Sequence, residues 1–518
     1  MSLARDVTTV GSGTLVSRLL GYIRDAGIAA LLGTGPVSDA FFAVLQVVNF
    51  FRRLLAEGAL NAAFVPIWLG LRGGEDGAAN ADKFTVRSLL AVFCLTGIVA
   101  LLIIVFANGM IGLISPGFDD ARRNVAAFFL LIVAPYIVLA GLVAVLAAAL
   151  NAENRVVAVA LSTIAFNLVM LLVLAWAFAG SEPLAASIWL AIAVVAAGLT
   201  QLVITGAVWL ATGRRWQRVR ARVPDRTPAL FMRAGPGLIA AGIPQLKLIA
   251  AAAIVSSSPA AVSWLYYANR LYELPLGIAS IAIAAVIVPR IAASLRDGEA
   301  HEFAGVQSRA FEIALGLALP AAAGFALLAQ PIAGVLFERG AFGPQDTLAV
   351  AAALTAICAG LPGHVLEKVL GAVSFAQGDT HTPMLAALCG LAAAIVGGVL
   401  LFPLYGHVGV AAAIAVSGWV GAVLMTGMLY ARGWLRLDAA ALHRLPRIIV
   451  ATVIMSLAVG GGLMLAYAQS PVLQTSAAGR LAVLAVLISL GVALYLAALQ
   501  GLGVVRLKHL IAAIRRKG

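Results

Sequence analysis

Arginines interrupt segments that are otherwise apolar enough to cross a membrane. Arg18 and Arg24 fall within the apolar run 10–32, and Arg52 and Arg53 within 41–69, with Glu57 one helical turn beyond Arg53. A guanidinium at bilayer depth costs roughly 2.5–3.5 kcal/mol even on lenient insertion scales. Four of them in two neighbouring segments must therefore line a polar interior. Ser17, Gly21 and Arg24 follow i, i+4, i+7 spacing and give one small, polar helix face; Arg18 and Asp25 share the adjacent face. Asn49, Arg53 and Glu57 are spaced by fours, so Arg53 can pair with Glu57 and serve as support. Asp39 sits at the outer end of the same helix. Arg270 and Glu273 repeat the arrangement at i, i+3. Lys247 and Lys368 add two intramembrane cations, Glu312 and Glu367 two acids. Helix-locking ion pairs account for Asp25, Asp39 and Glu312. Around Arg18, Arg24, Arg52 and Arg270 the cations exceed the acids, and buried excess positive charge calls for an external anion. The planar guanidinium fork suits phosphate bidentately, so the expected ligand is a pyrophosphate or polycarboxylate.

The elements that position these residues are transmembrane helices. The chain is 62% hydrophobic and 11% charged, against about 25% charged in soluble domains. Continuous apolar runs, not alternating ones, exclude a β-barrel. At about 20 residues per passage, the sequence predicts an all-α polytopic membrane protein with about fourteen transmembrane helices. The runs lie near 10–33, 38–70, 88–113, 124–150, 157–180, 185–211, 236–256, 263–293, 306–337, 346–372, 383–403, 408–431, 447–468 and 480–503. The net charge of +13 does not imply nucleic acid, because the basic residues concentrate in alternate loops. Arg72, Lys83 and Arg87; the stretch 214–233; Arg432 to Arg447; and the tail from Arg506 all fall on one side. The positive-inside rule places that side, with both termini, in the cytoplasm. The first apolar run reads as a functional span and not a cleaved signal. Cys94, Cys358 and Cys389 all lie in apolar runs and read as free thiols.

A duplication is legible. Val65-Pro66 recurs as Val288-Pro289, 223 residues later, and the stretch 145–152 recurs as 369–376, 224 residues on. Two six-helix lobes in parallel orientation are expected, 1–235 and 236–445, with two C-terminal helices in 446–518 outside the duplication. Enzyme signatures are missing. None of the five lysines precedes Ser or Thr as in a Walker A loop, no histidine pair has metal-ligand spacing, and no G-x-S-x-G elbow occurs. No metal and no cofactor is expected. Loops are too short for a soluble catalytic domain, which weighs against a membrane-embedded glycosyltransferase. A scaffold would not retain so many buried charges.

At these residues the sequence resembles a known family. The segments Ser17-Arg18-Leu19-Leu20-Gly21-Tyr22-Ile23-Arg24-Asp25, Ser38-Asp39-Ala40-Phe41-Phe42 and 49–59 are similar to the bacterial MurJ (MviN) lipid II flippases. Ala63-Phe64-Val65-Pro66 and 263–275 extend the match. The resemblance implies a fold of the multidrug/oligosaccharidyl-lipid/polysaccharide exporter type, with two lobes about a cationic cavity and a C-terminal groove for the lipid tail. It implies lipid II, the undecaprenyl-pyrophosphate-linked peptidoglycan precursor, as substrate, flipped across the bacterial inner membrane by a monomer surrounded by membrane lipids. Carried over by motif, the important positions are Arg18, Arg24, Asp39, Arg52, Glu57, Arg270 and Glu273. The same fold could also export another undecaprenyl-pyrophosphate-linked glycan. Two departures stand out. Asn269 replaces a frequent Asp, and Lys247 lies where some relatives bind sodium. The ammonium of Lys247 is therefore expected to stand in for an ion, with Lys368 and Glu367 as further candidate coupling residues.

Overall fold

Apolar runs in lipid must satisfy every backbone N–H and C=O internally, which leaves the helix as the spanning element here. The computed structural model describes residues 3–56, 59–73, 77–180, 182–212, 226–297, 300–469 and 476–504. Glu57 and the basic stretches 214–222 and 506–517 lie outside them. Among the described residues there are eighteen α-helices and no strand. They are α1 (Leu3–Leu32), α2 (Pro36–Ala56), α3 (Ala59–Arg72), α4 (Gly77–Val105), α5 (Ala107–Ile114), α6 (Asp120–Ala152), α7 (Val156–Ala177), α8 (Pro183–Ala211) and α9 (Thr227–Val255). After them come α10 (Ala261–Ala282), α11 (Val288–Asp297), α12 (Ala300–Leu327), α13 (Ala329–Phe337), α14 (Pro344–Cys358), α15 (Leu361–Ala376), α16 (His381–Ala431), α17 (Ala439–Gln469) and α18 (Ala477–Gly501).

Several passages are broken. The pairs α2–α3, α4–α5, α12–α13 and α14–α15 each follow one apolar run, the last bent by 41°. A π-helical turn, Ile283–Ile287, joins α10 to α11. Conversely, α16 is two passages fused across Gly406, whose φ of 55° only glycine adopts readily. Grouped in this way, the helices reproduce the order of the fourteen apolar runs. Counting α2 with α3 as one, nine stretches among the described residues are long and apolar enough to span. Absent from those nine are α1 and α10, the carriers of Arg18, Arg24, Arg270 and Glu273.

The backbone repeats where the sequence does. Asn154, after α6, and Gly378, after α15, both have positive φ, 58° and 76°, and they are separated by the same offset as the sequence matches. Short helices α5 and α13 also occupy equivalent places.

By packing, the chain forms two compact units. One holds residues 1–263 with 339–343; the other holds 264–338 and 344–518. In the first unit α6 is central and packs on α2, α4 and α8, while α1 lies along α7. Its core includes Phe64 stacked on Phe84 at 4.9 Å, beside the buried Trp68 and Trp209. In the same unit α9 packs on α2 and α3. In the second unit α12 packs on α15 and α17, α15 on α16, and α17 on α18.

Candidate functional site

Packing of α1 on α7 sets Asn167 opposite Arg24. The Arg24 guanidinium donates to Asp25 Oδ1 through Nε (3.0 Å) and Nη2 (2.7 Å). Its Nη1 donates to Asn167 Oδ1 at 3.2 Å. The Asn167 amide in turn donates to the Ser17 hydroxyl and carbonyl, 3.2 Å each, and to the Thr163 carbonyl at 3.3 Å. Ser17 and Arg24 thus converge on one asparagine, and Asp25, which Arg24 holds, is fully buried. Helical spacing had put Asp25 on a face with Arg18. The structure gives it Arg24 as an ion partner instead, because the long arginine side chain folds back over its neighbour. Arg18 makes no ion pair among the described residues. On α2, Arg52 reaches Asn49 Oδ1 at 3.4 Å through two nitrogens. Arg53 is half-buried; its expected partner Glu57 lies outside the described residues.

Asp39 has a different task. Fully buried at the start of α2, it accepts from Ala260 N (2.7 Å), Ser263 N (2.9 Å) and the Ser263 hydroxyl (2.6 Å). It therefore caps α10. Asp39 and Ser263 are 224 residues apart, so each stands at the other's repeat-equivalent position. Two loops at that same offset grip helix ends nearby. Gly117 N donates to the Ser256 hydroxyl at 2.8 Å, and Ala341 N donates to the Ala30 carbonyl at 2.8 Å. The approach is close enough that a Cβ on Gly117 or Gly340 would strike backbone. Arg122 completes the clasp, donating to Asp119 Oδ2 (3.1 Å) and the Ser256 carbonyl (3.3 Å). Nothing in the spacing of the sequence assigns Arg122 to this task. Asn167 was not singled out at all, and its one signal was a carboxamide inside an apolar helix.

In the second unit, Arg270 Nη1 lies 3.3 Å from Glu273 Oε2. Asn269 donates to the other Glu273 oxygen at 3.4 Å, so Glu273 is held from two sides. The Tyr272 hydroxyl meets His364 Nδ1 at 2.7 Å. Glu367 is half-buried, with its carboxylate against Gly421, while Lys368 is exposed. Glu312 is an ion-pair residue, bridged by Arg309 at 2.8 Å and Arg444 at 3.1 Å. Lys247, on α9 of the first unit, is 8% exposed. Among the described residues no three His, Cys, Asp or Glu side chains gather as a metal site.

An all-helical duplicated protein, with arginines fixed inside its spans, is a polytopic membrane transporter in class. The sequence model of the family described as "Lipid II flippase MurJ" matches residues 28–475. A relative named "Probable lipid II flippase MurJ" from Rhizobium meliloti (strain 1021) is 38% identical over 525 residues, covering 100% of this chain and 97% of its own. One of the same name from Vibrio cholerae serotype O1 is 31% identical, with 97% of each chain covered. Among solved structures, "Lipid II flippase MurJ, inward closed conformation" superposes with a TM-score of 0.76 at 22% identity, covering 94% of this chain and 97% of that one. An inward-facing multidrug resistance MATE transporter of the MOP superfamily gives 0.64 at 15% identity, over 80% and 94%. The chain belongs to the MurJ lipid II flippase family.

Proposed function

We propose that this chain flips lipid II from the cytoplasmic to the periplasmic leaflet of the bacterial inner membrane, as a monomer with both termini cytoplasmic. Family membership supports the substrate. The observation that carries the mechanism is the fixed, net-positive set of arginines inside the spans. Arg24 is locked by Asp25 and Asn167, while Arg18 has no acid partner among the described residues. In this reading Arg18, Arg24, Arg52 and Arg270 bind the pyrophosphate, whose charge the planar guanidinium forks suit bidentately. Asp25, Glu273 and Asn167 hold the guanidiniums in place; Ser17, Arg53 and Glu57 are support.

The functional halves in this reading are 1–235 and 236–445, with 446–518 holding the lipid tail. Alternating access then requires the Asp39–Ser263 clasp to close the periplasmic end and to release when the headgroup leaves. A membrane potential supplies about 2.3 kcal/mol per charge per 100 mV, enough to draw an unloaded cationic cavity back toward the cytoplasm. In this reading the Lys247 ammonium takes the place of a bound ion, and Glu367 and Lys368 are the further candidate coupling groups. The test is complementation. Arg24→Ala and Arg270→Ala are expected to insert at normal levels yet fail to support growth when the native flippase is depleted. Normal growth with both would refute the site.

A further inference from the structure

A second cationic site lies within the second unit. At one end of α12, its junction with α11 and the start of α17 encloses a cavity of about 410 Å³. Arg290, Arg309 and Arg444 line it, together with Glu312 and Asp438. Both acids are already engaged. Glu312, 6% exposed, is bridged between Arg309 and Arg444. Asp438 accepts from Ala441 N at 2.7 Å and so caps α17. Arg290 is exposed and has no ion pair or hydrogen bond among the described residues. The walls are firmly held: buried Gln307 donates to the Trp434 carbonyl at 2.7 Å and accepts from Arg436 N at 2.9 Å, and Ser308 accepts from Asp438 N at 2.8 Å. A built pocket with a spare guanidinium is chemistry for an anion.

Its surroundings narrow which anion. Val288, Ile313 and Leu442, on the three helices that form the pocket, are exposed apolar side chains, the surface an acyl chain covers. The ligand must then be an amphiphile whose anionic head enters the pocket while its tails lie along the helices. By the distribution of Arg432, Arg436, Arg444 and Arg447, this end is the cytoplasmic one, where the leaflet surface is negative and basic pockets between spans take lipid head groups.

We propose that this cavity binds the phosphodiester head of an anionic glycerophospholipid of the surrounding bilayer, joining α11 to α17. The lipid is distinct from the transported one, and Arg290 makes the decisive contact.

The test uses the purified full chain in detergent, titrated with phosphatidylglycerol or phosphatidylcholine and read by native mass spectrometry. The expected result is preferential retention of phosphatidylglycerol. Arg290→Gln should weaken it about fivefold, the size of one basic contact at a membrane surface, and Arg290→Lys should restore most of it. Arg290 has no partner among the described residues, so the thermal midpoint in lipid-free detergent should not move. Equal retention of both lipids, or phosphatidylglycerol binding indifferent to Arg290→Gln, would overturn the proposal. Displacement of phosphatidylglycerol by equimolar soluble glycerol phosphate would also overturn it, because the site would then recognise free phosphate and not a lipid.

Discussion

Asn167 carries more than its single carboxamide suggests, because it connects α7 to both Ser17 and Arg24 of α1. Replacing it with alanine removes a hydrogen bond to a charged group, worth about 1.5–3 kcal/mol. Asn167→Ala should therefore insert normally and lower substrate affinity about tenfold, measured by lipid II binding to the purified protein. Asp39→Ala would leave three donors of the α10 cap unsatisfied, at about 1–3 kcal/mol each when buried. A thermal midpoint unchanged in that variant would remove the clasp from the account. Asp379, in the turn between α15 and α16, tests the electrostatics outside the membrane. Burial pushes its carboxyl up, but hydrogen bonds from the Thr382 hydroxyl and N–H, the His381 N–H and the Arg432 guanidinium outweigh that and lower it to about 2. Its ionised form thus stabilises the fold fully above the unfolded value of about 3.9, and this is lost as pH falls through about 2. Asp379→Asn should lower the thermal midpoint at pH 7 and differ less from wild type below pH 4. At this scale the arginines were legible because a charge in an apolar run declares its own cost. Asn167 and Arg122 were not, since their roles depend on which helices pack together.

Among the elements, the close approaches at glycine are the most exacting. Gly340 has a φ of 60°, and a Cβ there would strike the Ala30 backbone. Gly340→Ala should destabilise by at least about 1–2 kcal/mol from the left-handed backbone alone, and by more from the collision. Gly109→Ala, which meets open space, should be neutral in the same thermal assay. The apolar runs made the passages legible, and Val65-Pro66 with Val288-Pro289 made the duplication legible. The breaks were harder. Between α4 and α5 the helix is interrupted at Phe106 with no proline or glycine immediately beside it, so local chemistry gives no warning. Gly406 marks the division of α16 by its backbone, and the sequence marks it by Pro403 and a dip in the apolar run. Packing of α9 on α2 and α3 was also hidden, because it joins helices far apart in the chain.

For the molecule as a whole, the family, the fold and the arginines lead to one activity, movement of the pyrophosphate-linked head across the membrane. Arg24→Ala and Arg270→Ala place one lesion in each unit of the chain. If both units contribute cations to one substrate, either lesion alone should abolish transport, and the double variant should be no worse. The most direct measurement is the accessibility of lipid II on the periplasmic face of cells that depend on this protein alone. Exposed lipid II is expected with the wild type, and cytoplasmic-leaflet accumulation with either arginine variant at equal protein levels. Undiminished periplasmic exposure in both variants would contradict that expectation.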